Sequence, residues 1–424
     1  MRDFETICVH GNYAAEKGQA QVVPIVQSTT FRYYNAKDVA DLFDLESGDF
    51  FYSRLGNPTV NKLEEKLALL EGGSAAVCAS SGQSATLMAV LNICGAGDHI
   101  ISASNIYGGT NNLLGVTLSK LGIEVTFIDQ DISADEILHF AKPKTKAVLG
   151  ETLGNPALSI LDFEKFSAVA RKLGVPLIVD NTLATPALCR PFEHGADIVI
   201  HSLTKYADGH ASCIGGAVIE SGKFDWANGG KFPGMTEPDD SYHGIKFYEK
   251  FGSAAFSVKM RGQLLRDLGC AMSPMNAYLI QQGLQTLHLR MERHSSNGLS
   301  LAEFLKSHEM AEWVSYPGLS KDKYFSLAQK YMPKGASGVI TFGVRGGRKA
   351  GERFLEKLKL TSVVVHVGDV RTCVLHPAST THRQLSDKAQ LEAGIRPELI
   401  RVSVGIENID DIKEDFDQAL KAIK

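Results

Sequence analysis

Between residues 75 and 220 the chain alternates short, largely apolar runs with stretches of helical periodicity. The runs AAVCAS (75–80), HIISAS (99–104), EVTFID (124–129), KAVLGE (146–151), PLIVD (176–180), DIVIHS (197–202) and GGAVIE (215–220) predict strands. Helical spacing fills the intervals, as from Leu87 to Leu91 and in LDFEKFSAVARKLG (161–174). Continuous apolar strands alternating with helices predict an α/β fold, a mostly parallel sheet covered on both faces.

The flanking segments follow other patterns. Residues 1–60 show weak periodicity and many aromatic and polar positions, which predicts an N-terminal arm without a core of its own. Asn57-Pro58-Thr59 reads as a helix start, with Leu63, Leu67 and Leu70 at helical spacing after it. A large domain is expected over 61–256, ending in a Gly-, Pro- and aromatic-rich excursion at 221–255. Helical signals resume at 258–309, and GVITFGV (338–344), VVVHVGD (363–369) and ELIRVSVGIE (398–407) read as strands before a final helix, DDIKEDFDQALKAIK. Residues 257–424 are therefore expected to form a smaller C-terminal α/β domain.

The bulk numbers narrow the function classes. A chain of 424 residues exceeds a single core. A net charge of −4 provides no basic surface for nucleic acid or an anionic membrane. No apolar run approaches the roughly 18 residues of a membrane span, and the first residues are polar, without an apolar signal core. Seven cysteines are scattered with no CxxC, as expected for reduced thiols in a cytoplasmic protein.

In open α/β sheets ligands collect at the carboxyl ends of the strands. There the chain places Lys205, in HSLTKYADGH, beside the hydroxyls of Ser202 and Thr204. Burial lowers a lysine pKa and frees the amine to attack a carbonyl, and two hydroxyls suit a phosphate, so the pattern points to pyridoxal phosphate (PLP) held as a Schiff base. Asp180 ends the strand 25 residues earlier, where it is either a helix cap or an acid facing the pyridine nitrogen. Ser80-Ser81-Gly82-Gln83-Ser84 forms a turn ahead of a helical run from Ala85, a phosphate cradle or a structural turn. Tyr107 could stack on a planar ring or simply pack, and Asn155 could bond a ring oxygen. Neither GxGxxG nor GxxxxGK[ST] occurs near the 80–84 turn, which argues against dinucleotides and P-loop nucleotides. His376 and His382 lack the ligand shell of a metal site, so no metal is expected.

The motifs YSRLGNPT, SSGQSA, YGGT, ETLGNP, VDNTLATP, HSLTKYADGH, HPASTTH and IRVSVGIE, in this order, resemble the Cys/Met-metabolism family of PLP enzymes over nearly the whole chain. The resemblance implies PLP-transferase fold type I. It implies Lys205 as the Schiff-base lysine, Asp180 as the pyridinium partner, and Gly82, Gln83, Ser202 and Thr204 as phosphate ligands. Tyr107 is the ring-stacking residue, placed with Lys205 in the catalytic set, and Asn155 joins the cofactor-binding set. Arg401 is implied to pair with the substrate α-carboxylate. Tyr52 and Arg54 are implied to reach the phosphate of a neighbouring subunit, in a homotetramer built as a dimer of dimers. Within the family the chain is most similar to the sulfhydrylase subgroup, which implies γ-replacement on O-acetylhomoserine to give homocysteine and acetate in methionine biosynthesis. Sulfide, methanethiol or a small sulfur-carrier protein with a C-terminal thiocarboxylate are the candidate donors. The alternatives are γ-elimination and cystathionine γ-synthase chemistry. Gly109 stands where the resemblance to methionine γ-lyases would place cysteine, and His366 stands where relatives carry Ser or Asn near the substrate carboxylate. Leu203, Ala207 and Ala211 also depart from the pattern.

Overall fold

A computed structural model describes residues 2–381, 383–384, 386–392 and 394–424. All seven apolar runs of the first region become strands: β1 (Ala75–Ala79), β2 (His99–Ala103), β3 (Glu124–Ile128), β4 (Thr145–Glu151), β5 (Leu177–Asp180), β6 (Ile198–Ser202) and β7 (Gly216–Glu220). Their order is β1-β7-β6-β5-β4-β2-β3. Strands β2 to β6 pair in parallel, while β7 lies antiparallel to both β6 and β1. Strands β2, β4, β5 and β6 are almost wholly buried, which is why they read as unbroken apolar runs, while the edge strand β3 buries only Ile128.

The helices that frame this sheet carry the capping signals of their sequences. Helix α1 (Phe4–His10) opens the chain and buries Ile7 and Cys8 in the first core. Helix α2 (Pro58–Glu71) starts with Asn57, whose side chain accepts from the Thr59 amide, and with Pro58 in its first turn. Helix α3 (Gly82–Leu91) starts three residues before the expected Ala85, because Ser81 and Ser84 form a reciprocal capping box. At its other end the buried Lys259 Nζ donates to the Asn92 carbonyl at 3.1 Å, a cation on the negative end of the helix. Helix α4 (Phe163–Leu173) covers the sheet as its periodicity predicts.

The second sheet comprises β8 (Ala311–Ser315), β9 (Val339–Val344), β10 (Ser362–Val363), β11 (Cys373–Leu375) and β12 (Leu399–Ser403), in the order β10-β11-β12-β9-β8. Its pairings are antiparallel except β10 with β11. Helices α5 (Leu287–Ser307), α6 (Gly347–Lys357) and α7 (Ile409–Lys421) pack on it. The rings of Phe342, Phe354 and Phe416 meet in its core at centroid distances of 5.5 to 6.3 Å.

One apolar run is not the strand it resembles. Of VVVHVGD only Val363 is in a strand, and Val363, Val364 and Val365 are exposed. The chain turns here to deliver His366 to the site described below. The next pairing strand is the three-residue β11, too short to stand out in the sequence.

Gly216, opposite Ser202 in the β6–β7 register, lies against the start of α3. A Cβ at Gly216 would collide with the Ser81 carbonyl and lie 2.7 Å from the Gly82 nitrogen. Gly216→Ala is therefore expected to destabilise the fold by about 1–3 kcal/mol and to weaken cofactor retention, read from denaturant unfolding and from PLP content after dialysis. Unchanged values for both would show that α3 can shift freely.

Candidate active site

A cavity of about 240 Å³ opens at the carboxyl ends of β4, β5 and β6, with segment 365–367 and Arg401 of β12 along its far wall. Gly82, Gln83, Tyr107, Asn155, Asp180, Ser202, Thr204, Lys205, His366 and Arg401 all line it. Residues spread over some 320 positions thus meet because the strand ends of the first sheet face the second sheet.

One end of the cavity suits an anion. The first amides of α3 face it, with the helix dipole behind them. Gly82 is required by its approach to β6: a Cβ there would lie 2.6 Å from the Ser202 Cβ and 3.0 Å from its Oγ. The Thr204 hydroxyl donates to the Gly215 carbonyl at 3.2 Å and accepts from the Gly215 amide at 3.1 Å. In this geometry Thr204 fixes the 204–215 loop. Gln83 Oε1 and Asn155 Oδ1 are buried without a protein partner. A buried acceptor left alone costs about 1–3 kcal/mol, so both are placed for a ligand.

The opposite wall is acidic. The β4–β5 register sets Glu151 beside Asp180 at the strand ends. Burial raises the Asp180 carboxyl above its ordinary range, opposed by the hydroxyl and the amide of Thr182, the amide donating at 2.9 Å. Burial, with Asp180 alongside, raises Glu151 further. Glu151 also accepts from the Tyr107 amide at 2.7 Å, which fixes the base of the tyrosine. Below them lies a buried polar layer: Thr152 Oγ1 donates to Asn181 Oδ1 at 2.8 Å, and Asn181 Nδ2 donates to Glu71 Oε1 at 2.9 Å, where His201 also binds. Replacing Asn181 and His201 would leave the Glu71 carboxylate buried without these partners.

Lys205 faces no carboxylate at bonding distance among the described residues. Its Nζ lies 3.5 Å from His366 Nδ1. Burial, and then the charge of Arg401, lowers the lysine to about 8. Burial and the Lys205 charge lower His366 to about 4, so the imidazole is neutral near pH 7. Arg401 Nη2 donates to the His366 carbonyl at 3.1 Å, while its Nε is buried and unpartnered. Burial lowers Arg401 to about 10, which leaves it a cation.

The loop carrying Lys205 is anchored to the second sheet. Tyr206 is fully buried; its hydroxyl accepts from the Gly338 amide at 3.3 Å and its ring meets His294 edge-on at 4.9 Å. Gly368, at φ +83°, sits so close that a Cβ would lie 2.7 Å from the Tyr206 nitrogen. The Val370 amide donates to the Gly209 carbonyl at 2.8 Å.

Other residues singled out in the sequence do not line the cavity. Tyr52 and Arg54 are outside the cavity: the guanidinium lies 5.2 Å from the Tyr52 ring centroid and donates to the Arg266 carbonyl at 2.5 Å. His376 bridges Ser379 Oγ and the Pro397 carbonyl, both at 2.7 Å, a structural role; His382 lies outside the described residues. At Gly109 any side chain would press on the Gln83 amide and the Tyr107 ring. Sequence reasoning missed Glu151 and Thr182. The signal for Glu151 was present, a carboxylate closing a buried strand just as Asp180 does.

The donor set suits a phosphorylated, planar heteroaromatic aldehyde: an anion cradle, an acid wall and a free amine. A family model described as "Cys/Met metabolism PLP-dependent enzyme" matches residues 5–421. An O-acetyl-L-homoserine sulfhydrylase of Leptospira meyeri is 48% identical, covering 99% of this chain and 97% of its own. A homocysteine/cysteine synthase of Saccharomyces cerevisiae is 42% identical over 99% of this chain and 98% of its own. A solved structure from Campylobacter jejuni, described as an O-acetylhomoserine (thiol)-lyase, carries N′-pyridoxyl-lysine-5′-monophosphate at its position 205; it matches with a TM-score of 0.96 and 38% identity, over 99% of this chain and 100% of that one. On these matches, and with a cavity whose amine, acids and anion cradle fit the cofactor, the chain belongs to the Cys/Met-metabolism family of PLP-dependent enzymes.

Proposed function

We propose that the chain joins a sulfur nucleophile to the γ-carbon of O-acetylhomoserine, forming homocysteine and releasing acetate. The observation that carries the reading is the meeting of an amine, two facing carboxylates and a guanidinium in one cavity. Support for the substrate comes from relatives named O-acetyl-L-homoserine sulfhydrylase that match the chain end to end. Free sulfide is the proposed donor, with a protein thiocarboxylate as the alternative. The seven cysteines are all unpaired, in keeping with a cytoplasmic setting.

PLP, when bound, supplies an electron sink for negative charge developing on the substrate carbons. Lys205 Nζ would hold its carbonyl carbon, the first turn of α3 with Ser202 its phosphate, and Asp180 its ring nitrogen; Tyr107 and Asn155 would flank the ring. Burial and the neighbouring Asp180 raise the Glu151 carboxyl, so the acid wall resists carrying two negative charges at once. Arg401 and His366 bind the substrate carboxylate. Its planar fork suits Arg401 to that role, and the unpartnered Nε is free to take part. Once displaced, Lys205 Nζ moves protons in turn at Cα and at Cβ, the Cβ proton leaving before acetate does and returning after sulfur has added. The γ-carbon–oxygen bond breaks with its electron pair leaving on acetate, and the carbon–sulfur bond replaces it.

The active unit is proposed to be an oligomer, a dimer of dimers, in which Tyr52 and Arg54 complete a neighbour's site. Their position outside the cavity of their own chain supports this.

Three outcomes test the reading. In the apoenzyme, the rate of imine formation with added PLP should climb with pH and level off above about 8, because only the free amine attacks; an ordinary lysine would still be climbing toward about 10. Stopped-flow absorbance checks this. Arg401→Lys should raise KM for O-acetylhomoserine on the order of a hundredfold, with little change in the spectrum of bound PLP. Lys205→Ala and Arg54→Ala should each abolish γ-replacement, while mixed oligomers of the two should regain part of it in a steady-state homocysteine assay. No regain would remove the shared site, and 2-oxobutyrate as the main product would remove the replacement reading in favour of elimination.

A further inference from the structure

The excursion at 221–255 contributes no residue to the cavity, yet it grips the stretch that carries Tyr52 and Arg54. A leucine marks the grip. The short helix Ala36–Phe43 ends with the Leu45 amide on the Leu42 carbonyl at 3.2 Å and the Glu46 amide on the Asp41 carbonyl at 2.8 Å. These are the two bonds of a helix end that calls for glycine, and Leu45 occupies its left-handed position at φ +56°. Leucine is strained there, so ending the helix does not account for it. Its side chain does: it packs against the cluster of Tyr242, Phe247 and Ala255 in the excursion. On either side, Lys250 Nζ donates to the Asp44 carbonyl at 3.3 Å and to Glu46 Oε1 at 2.6 Å.

The chain from Leu45 to Leu55 bridges a cavity of about 350 Å³, lined among others by Leu42, Leu45, Phe50, Phe51, Leu55 and Phe251. Over such a void the attachments at its ends set its place. Phe51 and Ser53 pair with the arm itself, the Phe31 amide donating to the Phe51 carbonyl at 3.2 Å and the Ser53 amide to the Thr29 carbonyl at 2.8 Å. At the far end the same cluster takes hold again. The Tyr242 hydroxyl accepts from Arg266 Nη1 at 3.1 Å, and the Arg266 carbonyl accepts from Arg54. Resting on the reading of a site shared between chains, we infer that Leu45 is a positioning residue: seated in the excursion, it sets where Tyr52 and Arg54 stand, and so how a neighbour's site is completed. The excursion thereby serves another chain's cavity. Burial of the leucine in the cluster offsets its strained backbone.

If Leu45 served only to end its helix, glycine would serve better. With the PLP-loaded enzyme, Leu45→Gly should instead lower kcat/KM for γ-replacement by about tenfold to a hundredfold, the cost of a small misplacement remote from the chemistry. PLP affinity on reconstitution should fall by about tenfold. Leu45→Met, which keeps an apolar side chain of similar volume, should stay within about twofold on both measures. Leu45→Ala should repeat the glycine losses and stands in if the glycine variant does not fold; the absorbance of bound PLP shows each variant to be folded and loaded. Mixed oligomers then show whose site fails. A Leu45→Gly chain beside a Lys205→Ala chain keeps its lysine and receives an intact arm, so turnover per intact lysine should rise several-fold above Leu45→Gly alone. Glycine matching leucine on both measures, methionine as impaired as glycine, or a defect that stays with the Leu45→Gly chain's own site would each overturn the inference. If Arg54→Ala and Lys205→Ala chains also fail to regain activity together, the shared site itself falls, and this role with it.

Discussion

An ammonium withdrawn from water next to a guanidinium loses part of its hold on its proton. In this chain the withdrawal is arranged by topology: Lys205 follows β6, its neighbours Asp180 and Glu151 end β5 and β4, and Arg401 arrives from the second sheet. Lys205 has no salt bridge to either acid among the described residues, and the two acids face each other. The positive and negative sides of the cavity are therefore held apart. Had Lys205 closed a salt bridge with Asp180, each would have taken its charge deep into its ordinary range and neither would be free to react.

The same economy governs α3. Its positive end meets the cavity and its negative end meets Lys259, a buried lysine that donates to the carbonyl and the side chain of Asn92. The helix is packed so closely that Gly82 touches Ser202 and Gly216 touches Ser81. The anion cradle is thus a property of the sheet as much as of the helix, since two strand residues set how near the first turn can come.

Much of this was legible in the sequence. Strands buried on both faces have no polar side to confuse the pattern, so the inner strands of the first sheet stood out, and their ends located Lys205 and Asp180; the half-exposed β3 stood out by Val125, Phe127 and Ile128. The second sheet was less legible. Its β8 carries Glu312 and Trp313 in a half-exposed strand, and β11 is only three residues long. VVVHVGD looked like a strand because Val365 and Val367 border a cavity beside the exposed Val363 and Val364, a setting that periodicity cannot distinguish from a core. Glu151 was overlooked for a different reason. A lone carboxylate at a strand end has several uses, and only the register showed that it faces Asp180. Tyr52 and Arg54 belong to the other limit: the family resemblance assigned them to a neighbouring chain, and no feature of a single chain's cavity would have done so.

The contact between Gly368 and the Lys205–Tyr206 backbone has a consequence for traffic through the enzyme. A hinge between the two sheets would have to pass through this point, where even a methyl group does not fit and where the Gly209 carbonyl is tied to Val370. Opening the molecule like a jaw would drag the reactive lysine out of place with every turnover. Substrates must instead come and go through the mouth, past the exposed side chains of Ile214 and Val365. Whatever enters therefore passes two apolar side chains before it meets the charged groups within.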